Sequence, residues 1–350
     1  MNNPTQGNSA SLKTNDLAAG YRPKRTLLAH CQLDQGHGCL VAIVGRNGIG
    51  KTTLLRTLAG TIPPLQGSVE LCGYPLAQLS HQQRARLLAF CAAKPSVNPK
   101  LQVWEFMQLA RFPHLGWFRH LQPHDHAAIA KALALVHLEP FWTRTLATLS
   151  DGELQRAWLA SALAQETPII LLDEPTAFLD FPTKNEVVAL LRQIAHTTGK
   201  LILFSTHDLH SALWLPDALW ILGQGTVKQY SPEGAVLSGL LEKNFNSPYA
   251  AFNIDSFTFQ PTTLPTQRCG LFQLQGNSQS AAYICTQHAL QRCGWQKTSA
   301  STDTPNLTIT IDEQPAGWTL RWQEQANPLK LLTLEEVIDT LARSSSGTPT

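Results

Sequence analysis

CLVAIVGRNGIGKTTLLRTLAG, residues 39–60, joins a short apolar run to a glycine-rich turn and then to a segment of regularly spaced leucines. The apolar run is typical of a buried β-strand, and the leucine spacing is typical of a helix. Four residues match the phosphate-loop pattern G-x-x-x-x-G-K-[ST]: Gly45, Gly50, Lys51 and Thr52. The stretch therefore predicts a phosphate-binding turn at the carboxyl end of a buried strand.

Such a turn binds phosphate mainly through its backbone. Glycines let the chain fold into a ring of amide donors, and the following helix directs the positive end of its dipole at the anion. We expect Lys51 to contact the β and γ phosphates of a nucleoside triphosphate and the Thr52 hydroxyl to bind Mg²⁺. The predicted nucleotide contacts in this loop are Gly45, Arg46, Asn47, Gly48, Ile49, Gly50, Lys51, Thr52 and Thr53.

The composition is that of a globular protein. Of 350 residues, 43% are hydrophobic and 15% are charged, and the net charge is only +2. Because no block of lysine and arginine is present, nucleic acid is not an expected partner. The apolar runs are far shorter than the roughly 20 residues of a membrane-spanning helix, and the N-terminus does not resemble a signal peptide. We therefore expect a soluble chain on the cytosolic side, whose seven scattered cysteines are mostly reduced core residues.

Short β-rich runs alternate with longer helix-like stretches between residues 40 and 225, as in a doubly wound α/β core with a mostly parallel sheet. Leucine, alanine and histidine at helical spacing predict a helical subdomain at about 76–165. The predicted order is a flexible segment 1–12, a nucleotide-binding domain 13–243, a proline-dotted linker 244–265, a small α+β domain 266–343 and a flexible tail 344–350.

Alternating apolar residues and helical periodicity support the small α+β domain. Residues 307–311 and 318–322 alternate as strands do, and residues 281–292 have the pattern of a helix. Thr333 and Glu336 form the sequence pattern of a capping box at the start of a last helix. No group of residues in this domain predicts catalysis.

PIILLDEP, residues 168–175, predicts the acidic partner of the phosphate loop. Four apolar β-formers lead into two carboxylates, so Asp173 is expected at the end of a strand, where it would hold Mg²⁺. Glu174 would then face the γ-phosphate and act as the general base for an attacking water.

LSDGE, residues 149–153, is the most specific motif. It resembles the LSGGQ signature of ATP-binding cassette (ABC) ATPases, and the next helix carries the Gln155 and Arg156 expected from that resemblance. The resemblance implies a P-loop NTPase fold of the ABC cassette type. It also implies that Ser150 and the Gly152 amide bind ATP held by the other subunit of a dimer.

The remaining motifs of this family follow in order along residues 14–240. PTAFLD resembles the D-loop, which implies that Asp180 lies near the subunit interface, and STHD supplies His207, which in the family contacts the γ-phosphate. Tyr21 stands where the family has an aromatic residue that stacks on adenine. These similarities imply an ATPase that uses ATP and Mg²⁺.

Several phrases, RFPHLGWF among them, look most like ATPase subunits of importers for iron siderophores, haem or cobalamin. That branch implies a head-to-tail homodimer, peripheral on the cytoplasmic face of the membrane. It would dock on permease subunits through residues 91–120 and work indirectly with an external solute-binding protein. Iron-siderophore complexes are the predicted cargo.

Two departures from the family pattern leave alternatives open. Ala93 stands where most cassettes have a glutamine, so a neighbour or water replaces that contact or hydrolysis is slow. The signature has Asp151 and Glu153 in place of glycine and glutamine, and we expect Asp151 to face away from the phosphate. A soluble nucleotide-switched regulator is the alternative function. A small-molecule kinase is a third hypothesis, against which LSDGE and His207 argue.

Overall fold

The architecture is that of a computed structural model, which describes residues 10–21, 25–93, 97–115, 120–177, 179–254, 256–262, 270–293, 295–298, 305–313, 316–323 and 327–344. The chain divides into two compact units. The first comprises residues up to Asn246 together with Phe252–Phe259, and the second comprises Ser247–Ala251 and residues from Gln260 onward. Of the flexible ends predicted at 1–12 and 344–350, residues 1–9 and 345–350 lie outside the described residues, whereas Leu12 begins a strand and Ser344 ends a helix.

The first unit is built from alternating strands and helices. Its strands are β1 (Leu12–Tyr21), β2 (Arg25–Gln35), β3 (Cys39–Val44), β4 (Gln66–Leu71), β5 (Tyr74–Pro75), β6 (Leu88–Cys91), β7 (Ile169–Leu172), β8 (Leu201–Thr206), β9 (Ala218–Gly223) and β10 (Thr226–Tyr230). Its helices are α1 (Lys51–Leu58), α2 (His81–Leu87), α3 (Val103–Ala110), α4 (Pro123–Leu135), α5 (Asp151–Ala164), α6 (Phe181–Thr198), α7 (Leu209–Trp214), α8 (Pro232–Leu237) and α9 (Leu240–Phe245). Short 3₁₀ turns occur at Leu76–Gln78, Phe112–His114, Glu139–Phe141 and Leu146–Thr148.

The central sheet has the strand order β10-β9-β3-β8-β7-β6. All of its pairings are parallel except that of β9 with β10. This confirms the predicted mostly parallel α/β core. Because carboxyl ends of parallel strands share one edge, the segments that follow β3, β7 and β8 are brought together.

Both faces of this sheet are buried, which explains why its inner strands are mostly apolar. One face packs its alternate residues against α3 to α9. The other face packs against α1 and against a second, antiparallel sheet of order β2-β1-β4-β5. The phosphate-loop helix α1 is therefore fixed between two sheets, with Leu54, Leu55 and Leu58 fully buried.

The predicted helical subdomain, residues 76–165, contains a strand of the central sheet. β6 pairs in parallel with β7, so helices dominate only the part of this range that follows β6. The four residues LAFC directly follow α2, and an apolar run this short cannot be distinguished from a helix end by periodicity. None of the helices in the described part of the chain has the length and apolar character needed to cross a bilayer.

The predicted linker contains a two-stranded sheet, β11 (Ala250–Asn253) with β12 (Thr258–Pro261), and residues 263–265 lie outside the description. Its aromatic residues pack on one another, with ring centroids of Phe252 and Phe259 5.2 Å apart. The ring centroid of Trp214, at the end of α7, lies 6.0 Å from that of Phe257. The prolines predict a linker, but the aromatic side chains of this segment pack on one another and on Trp214.

The second unit has a five-stranded sheet and two helices. Its elements are β13 (Gly270–Gln275), α10 (Ala281–Arg292), β14 (Trp295–Lys297), β15 (Leu307–Glu313), β16 (Ala316–Trp322), β17 (Leu329–Leu331) and α11 (Leu334–Ser344). The strand order is β14-β13-β15-β16-β17, and a core of its own joins the sheet to both helices. Thr333 and Glu336 make the predicted capping box of α11. The predicted α+β architecture is confirmed.

Candidate nucleotide-binding site

The phosphate loop lies between β3 and α1, as the sequence predicts. Gly50 is the residue before α1 and has φ +119, a conformation that side chains rarely adopt. The Leu54 amide donates to the Gly50 carbonyl at 2.8 Å, so the helix begins immediately after the loop. The unpaired amides of the first turn therefore face the loop and can bind an anion.

Lys51 is held in the loop by a backbone acceptor. Its Nζ donates to the Gly45 carbonyl at 2.9 Å, and the residue is only 7% exposed. Burial lowers the pKa of Lys51, while the carboxylates of Glu174 and Asp173 oppose that shift. A buried cation of this kind is oriented for a multiply charged anion, which would replace the carbonyl as its partner.

Asp173 lies at the end of β7 and is 4% exposed. Its Oδ1 accepts two hydroxyl hydrogen bonds, one from Thr52 at 3.2 Å and one from Ser205 at 2.7 Å. A carboxylate and a hydroxyl side by side provide hard oxygen ligands, which Mg²⁺ prefers. The donor set therefore fits Mg²⁺ shared with a phosphate group.

Glu174 follows Asp173 in the chain, and His207 lies next to Glu174. His207 Nδ1 is 3.6 Å from Glu174 Oε2, and both side chains are accessible to solvent. Glu174 has φ +50, which is uncommon for a residue other than glycine. Its amide donates to Ser205 Oγ at 2.9 Å, which helps to hold this conformation.

One cavity of about 580 Å³ joins the phosphate loop, Glu174 and His207. It is lined by Tyr21, Arg25, Leu27, Asn47, Gly48, Gly50, Lys51, Thr52, Thr53, Glu174 and His207. Tyr21 is fixed at its rim, because Thr53 Oγ1 donates to the Tyr21 hydroxyl at 3.1 Å.

Two lining residues were missed by the sequence analysis, Arg25 and Leu27. Arg25 is the direct cross-strand partner of Tyr21, so the two side chains lie on the same face of the sheet. Three predicted loop contacts, Gly45, Arg46 and Ile49, are not among the described lining residues. The Ile49 amide donates to the Arg46 carbonyl at 3.2 Å, and this pair shapes the turn.

Four predicted residues from outside the loop are not among the described lining residues of this cavity: Ser150, Gly152, Asp173 and Asp180. Ser150 precedes α5, where its hydroxyl accepts from the Glu153 amide at 3.3 Å and Glu153 accepts from the Ser150 amide at 2.8 Å. This backbone hydrogen bond from Ser150 lowers the pKa of Glu153. Asp180 precedes α6 and accepts from the Thr183 amide at 3.1 Å.

A second cavity, of about 620 Å³, is lined by two of the three residues that depart from the family pattern. Ala93 and Asp151 both line it, together with Gln155, Trp158 and Asp173. Asp151 is therefore directed toward a different cavity from the one that holds Lys51. Most cassettes have a glutamine at the position of Ala93. Here the side-chain amide in the cavity that Asp173 lines belongs to Gln155.

The parallel sheet, the phosphate loop and the carboxylate pair together define a P-loop nucleotide-binding protein. A family model described as ABC transporter matches residues 28–177. The chain is 30% identical over 258 residues to the achromobactin transport ATP-binding protein CbrD of Dickeya dadantii (strain 3937), covering 74% of this chain and 96% of that protein. It is 33% identical over 235 residues to the ferric enterobactin transport ATP-binding protein FepC of Escherichia coli (strain K12), covering 67% of this chain and 86% of that protein.

Solved structures agree with this result. The ATP-binding cassette MJ0796, a dimer in a post-hydrolysis state bound to ADP and phosphate, matches with a TM-score of 0.56 and 25% identity. The match covers 63% of this chain and 98% of that one. This chain belongs to the ABC transporter family and is an ATP-binding cassette ATPase.

Proposed function

We propose that this chain is the ATPase subunit of a membrane importer for iron-siderophore complexes. The observation that carries the proposal is the convergence of Lys51, Thr52, Glu174 and His207 on one cavity of about 580 Å³, beside Asp173. The names of the relatives, one of them for ferric enterobactin transport, support the cargo class. These names also favour an importer over a soluble regulator.

The phosphates would be bound by Lys51 and the amides of the loop, and adenine would stack on Tyr21. Thr52 and Asp173 would hold Mg²⁺, which when bound neutralises charge on the β- and γ-phosphate oxygens. The oxygen donors of this pair, already adjacent at 3.2 Å, support that assignment.

Glu174 is the proposed general base. It takes a proton from water as the water oxygen bonds to the γ-phosphorus, while the bond from phosphorus to the bridging oxygen breaks and ADP leaves. His207, 3.6 Å from Glu174, would contact the γ-phosphate and respond to its departure.

We propose that Ser150 and Gly152 complete the site of a second copy of the chain. Accepting the capping hydrogen bond occupies a lone pair of the Ser150 hydroxyl, so its O–H can still donate to a phosphate. The positive end of α5 would favour the same anion. Asp180, at the start of α6, would lie near this interface, and the dimeric relative MJ0796 supports the arrangement.

Permease subunits would dock on the part of the chain between 91 and 120, and the dimer would be peripheral on the cytoplasmic face of the membrane. An external solute-binding protein would supply the cargo to the permease.

Replacing Glu174 by glutamine tests the assigned chemistry. Because general-base catalysis contributes about 10²- to 10⁴-fold, Glu174→Gln should slow phosphate release by at least about 100-fold. ATP binding should persist and the ATP-bound dimer should accumulate on a sizing column. Glu186→Gln is the matched control, since Glu186 is an exposed residue of α6. Unchanged turnover in Glu174→Gln would show that the base is misassigned.

Mixing two inactive variants tests the shared site. Lys51→Ala and Ser150→Arg should each be inactive alone, because each homodimer lacks one half of both sites. A mixed dimer regains one complete site, so an equal mixture should recover about a quarter of wild-type activity. Absence of recovery in dimers shown to exchange subunits would exclude head-to-tail sharing.

Co-purification tests the cargo. A membrane extract should yield the chain together with a hydrophobic subunit, and deleting the chain should abolish uptake of siderophore-bound radioactive iron. Retained uptake, with lost uptake of haem or cobalamin, would assign a different cargo.

A further inference from the structure

Ser205 connects the two strands that carry the carboxylates and the histidine. It is fully buried in β8, next to β7 in the central sheet. Its hydroxyl donates to Asp173 Oδ1 at 2.7 Å and accepts from the Glu174 amide at 2.9 Å. One hydroxyl therefore contacts two consecutive acidic residues on the neighbouring strand.

The direction of these hydrogen bonds is fixed by chemistry. A backbone amide can only donate, so Ser205 Oγ must accept from Glu174 and direct its single proton at Asp173. The proton orients Asp173 Oδ1, which also accepts from Thr52. The same hydroxyl is one of the contacts that hold Glu174 at φ +50, a conformation that persists only where its surroundings support it.

Burial gives a second reason to assign a role to this hydroxyl. The other residues of β8 up to Phe204 are apolar and fully buried, and a buried hydroxyl is costly unless it is hydrogen-bonded. An alanine or valine would fit a strand covered on both faces without that cost. Ser205 instead uses its donor on the Asp173 carboxylate and its acceptor on the Glu174 backbone amide.

We propose that Ser205 is a positioning residue for hydrolysis: it orients Asp173 toward the metal and fixes the backbone of Glu174, and it connects both to the strand that leads to His207. The inference rests on the proposed function and adds to it Ser205, the first residue of the STHD motif, to which the motif assigns no role. It acts through the carboxylates and does not contact the nucleotide.

The test compares Ser205→Ala, Ser205→Thr and Ser205→Cys in the full chain, with Thr14→Ala as the control. Thr14 is buried, donates to the Cys31 carbonyl and accepts from the Leu33 amide, both at 2.9 Å, so it is the same kind of bridge in the other sheet. The measurements are the Mg²⁺ dependence of phosphate release, the affinity for a fluorescent ATP analogue in EDTA and in Mg²⁺, and the thermal unfolding midpoint.

In Ser205→Ala, Asp173 loses the hydrogen bond from the Ser205 hydroxyl. This loss should reduce kcat and weaken the apparent affinity for Mg²⁺, each by about 10- to 100-fold. Binding of the analogue in EDTA should stay within about twofold, because Lys51 and the loop are unchanged. Ser205→Thr keeps the hydroxyl and should restore most of both values, and Ser205→Cys, a weaker donor, should lie between. Thr14→Ala should lose stability but keep wild-type kcat and Mg²⁺ dependence.

A wild-type Mg²⁺ response in Ser205→Ala would overturn the inference. An equal loss of kcat and Mg²⁺ affinity in Thr14→Ala would also overturn it. The same holds if Ser205→Ala loses as much affinity for the analogue in EDTA as in Mg²⁺. If Ser205→Ala does not fold, the comparison of Ser205→Thr with Ser205→Cys decides, and equal values for these two would also overturn it. Failure of the proposed function looks different, because then the wild-type chain would lack the Mg²⁺-dependent hydrolysis that Glu174→Gln removes.

Discussion

Replacing Arg111 by methionine should destabilise the helices between β6 and β7. Arg111 follows α3 and is 1% exposed. Its Nε donates to Asp125 Oδ1 at 2.8 Å, and its Nη1 donates to the Ala164 carbonyl at 2.6 Å and to Glu166 Oε2 at 2.8 Å. One guanidinium thus joins α3 to the first turn of α4 and to the end of α5.

The magnitude follows from the burial of Asp125, which is also 1% exposed. Methionine fills a similar length but cannot donate, so a buried carboxylate loses its cation and the Ala164 carbonyl loses a donor. Breaking a buried ion pair from one side costs about 3–5 kcal/mol. The contact with Glu166, which is 52% exposed, adds about 1 kcal/mol at most.

Hydrogen exchange measured by mass spectrometry on the full chain locates the effect. A loss of about 3–5 kcal/mol of stability corresponds to roughly 10²-fold or faster exchange of the backbone amides of α4, because each 1.4 kcal/mol is a factor of ten. The double variant Arg111→Met with Asp125→Asn should recover much of the loss, since no buried charge remains.

The effect should also depend on pH. Burial alone would raise the pKa of Asp125, but hydrogen bonds from the Gln122 amide and Arg111 leave it lowered. The stabilisation by this pair is therefore present above the ordinary pKa of aspartate, about 3.9, and is lost as pH falls through the lowered pKa. The difference between wild type and variant should shrink below about pH 4. An exchange rate in α4 within about threefold of wild type at pH 7 would refute the reasoning.

Three further predictions concern the nucleotide and the second unit. Because burial lowers the pKa of Lys51 below 10.5, the Kd for ATP should rise as pH increases through that lowered value, and a Kd constant up to pH 10.5 would contradict this. Tyr21→Ala should weaken ATP binding by about 5- to 100-fold in a fluorescence titration, and Tyr21→Phe should remain near wild type; equal losses would exclude stacking. Thr333→Ala should cost about 0.5–2 kcal/mol and speed hydrogen exchange in α11 alone, whereas unchanged exchange there would show that the cap is dispensable.

The sequence was sufficient for those parts of the site that are contiguous in the chain. The phosphate loop, Asp173, Glu174 and His207 each follow a recognisable apolar strand, and the structure brings them to one edge of the sheet. Arg25 and Ser205 were not found, because their role depends on which strand lies beside them. Ser205 begins the STHD motif at the end of an apolar strand, which without pairing information indicates nothing about Asp173.

Strands in the predicted helical subdomain and in the predicted linker escaped prediction for physical reasons. β6 is four residues long and directly follows α2, so its apolar residues continue the preceding pattern. The β11–β12 sheet lies among prolines, and its packing depends on Trp214 and Phe245, which precede it in sequence. A local sequence pattern gives the character of each residue, but it does not identify the distant residues that bury it.

The strand order determines when the chain can assemble during synthesis. β3 (Cys39–Val44) is covered on both edges by β8 (Leu201–Thr206) and β9 (Ala218–Gly223), which are translated far later. Until those strands emerge from the ribosome, an apolar strand with two open edges must be kept from pairing with other nascent chains. Assembly of this domain is therefore expected to be late and to benefit from a chaperone.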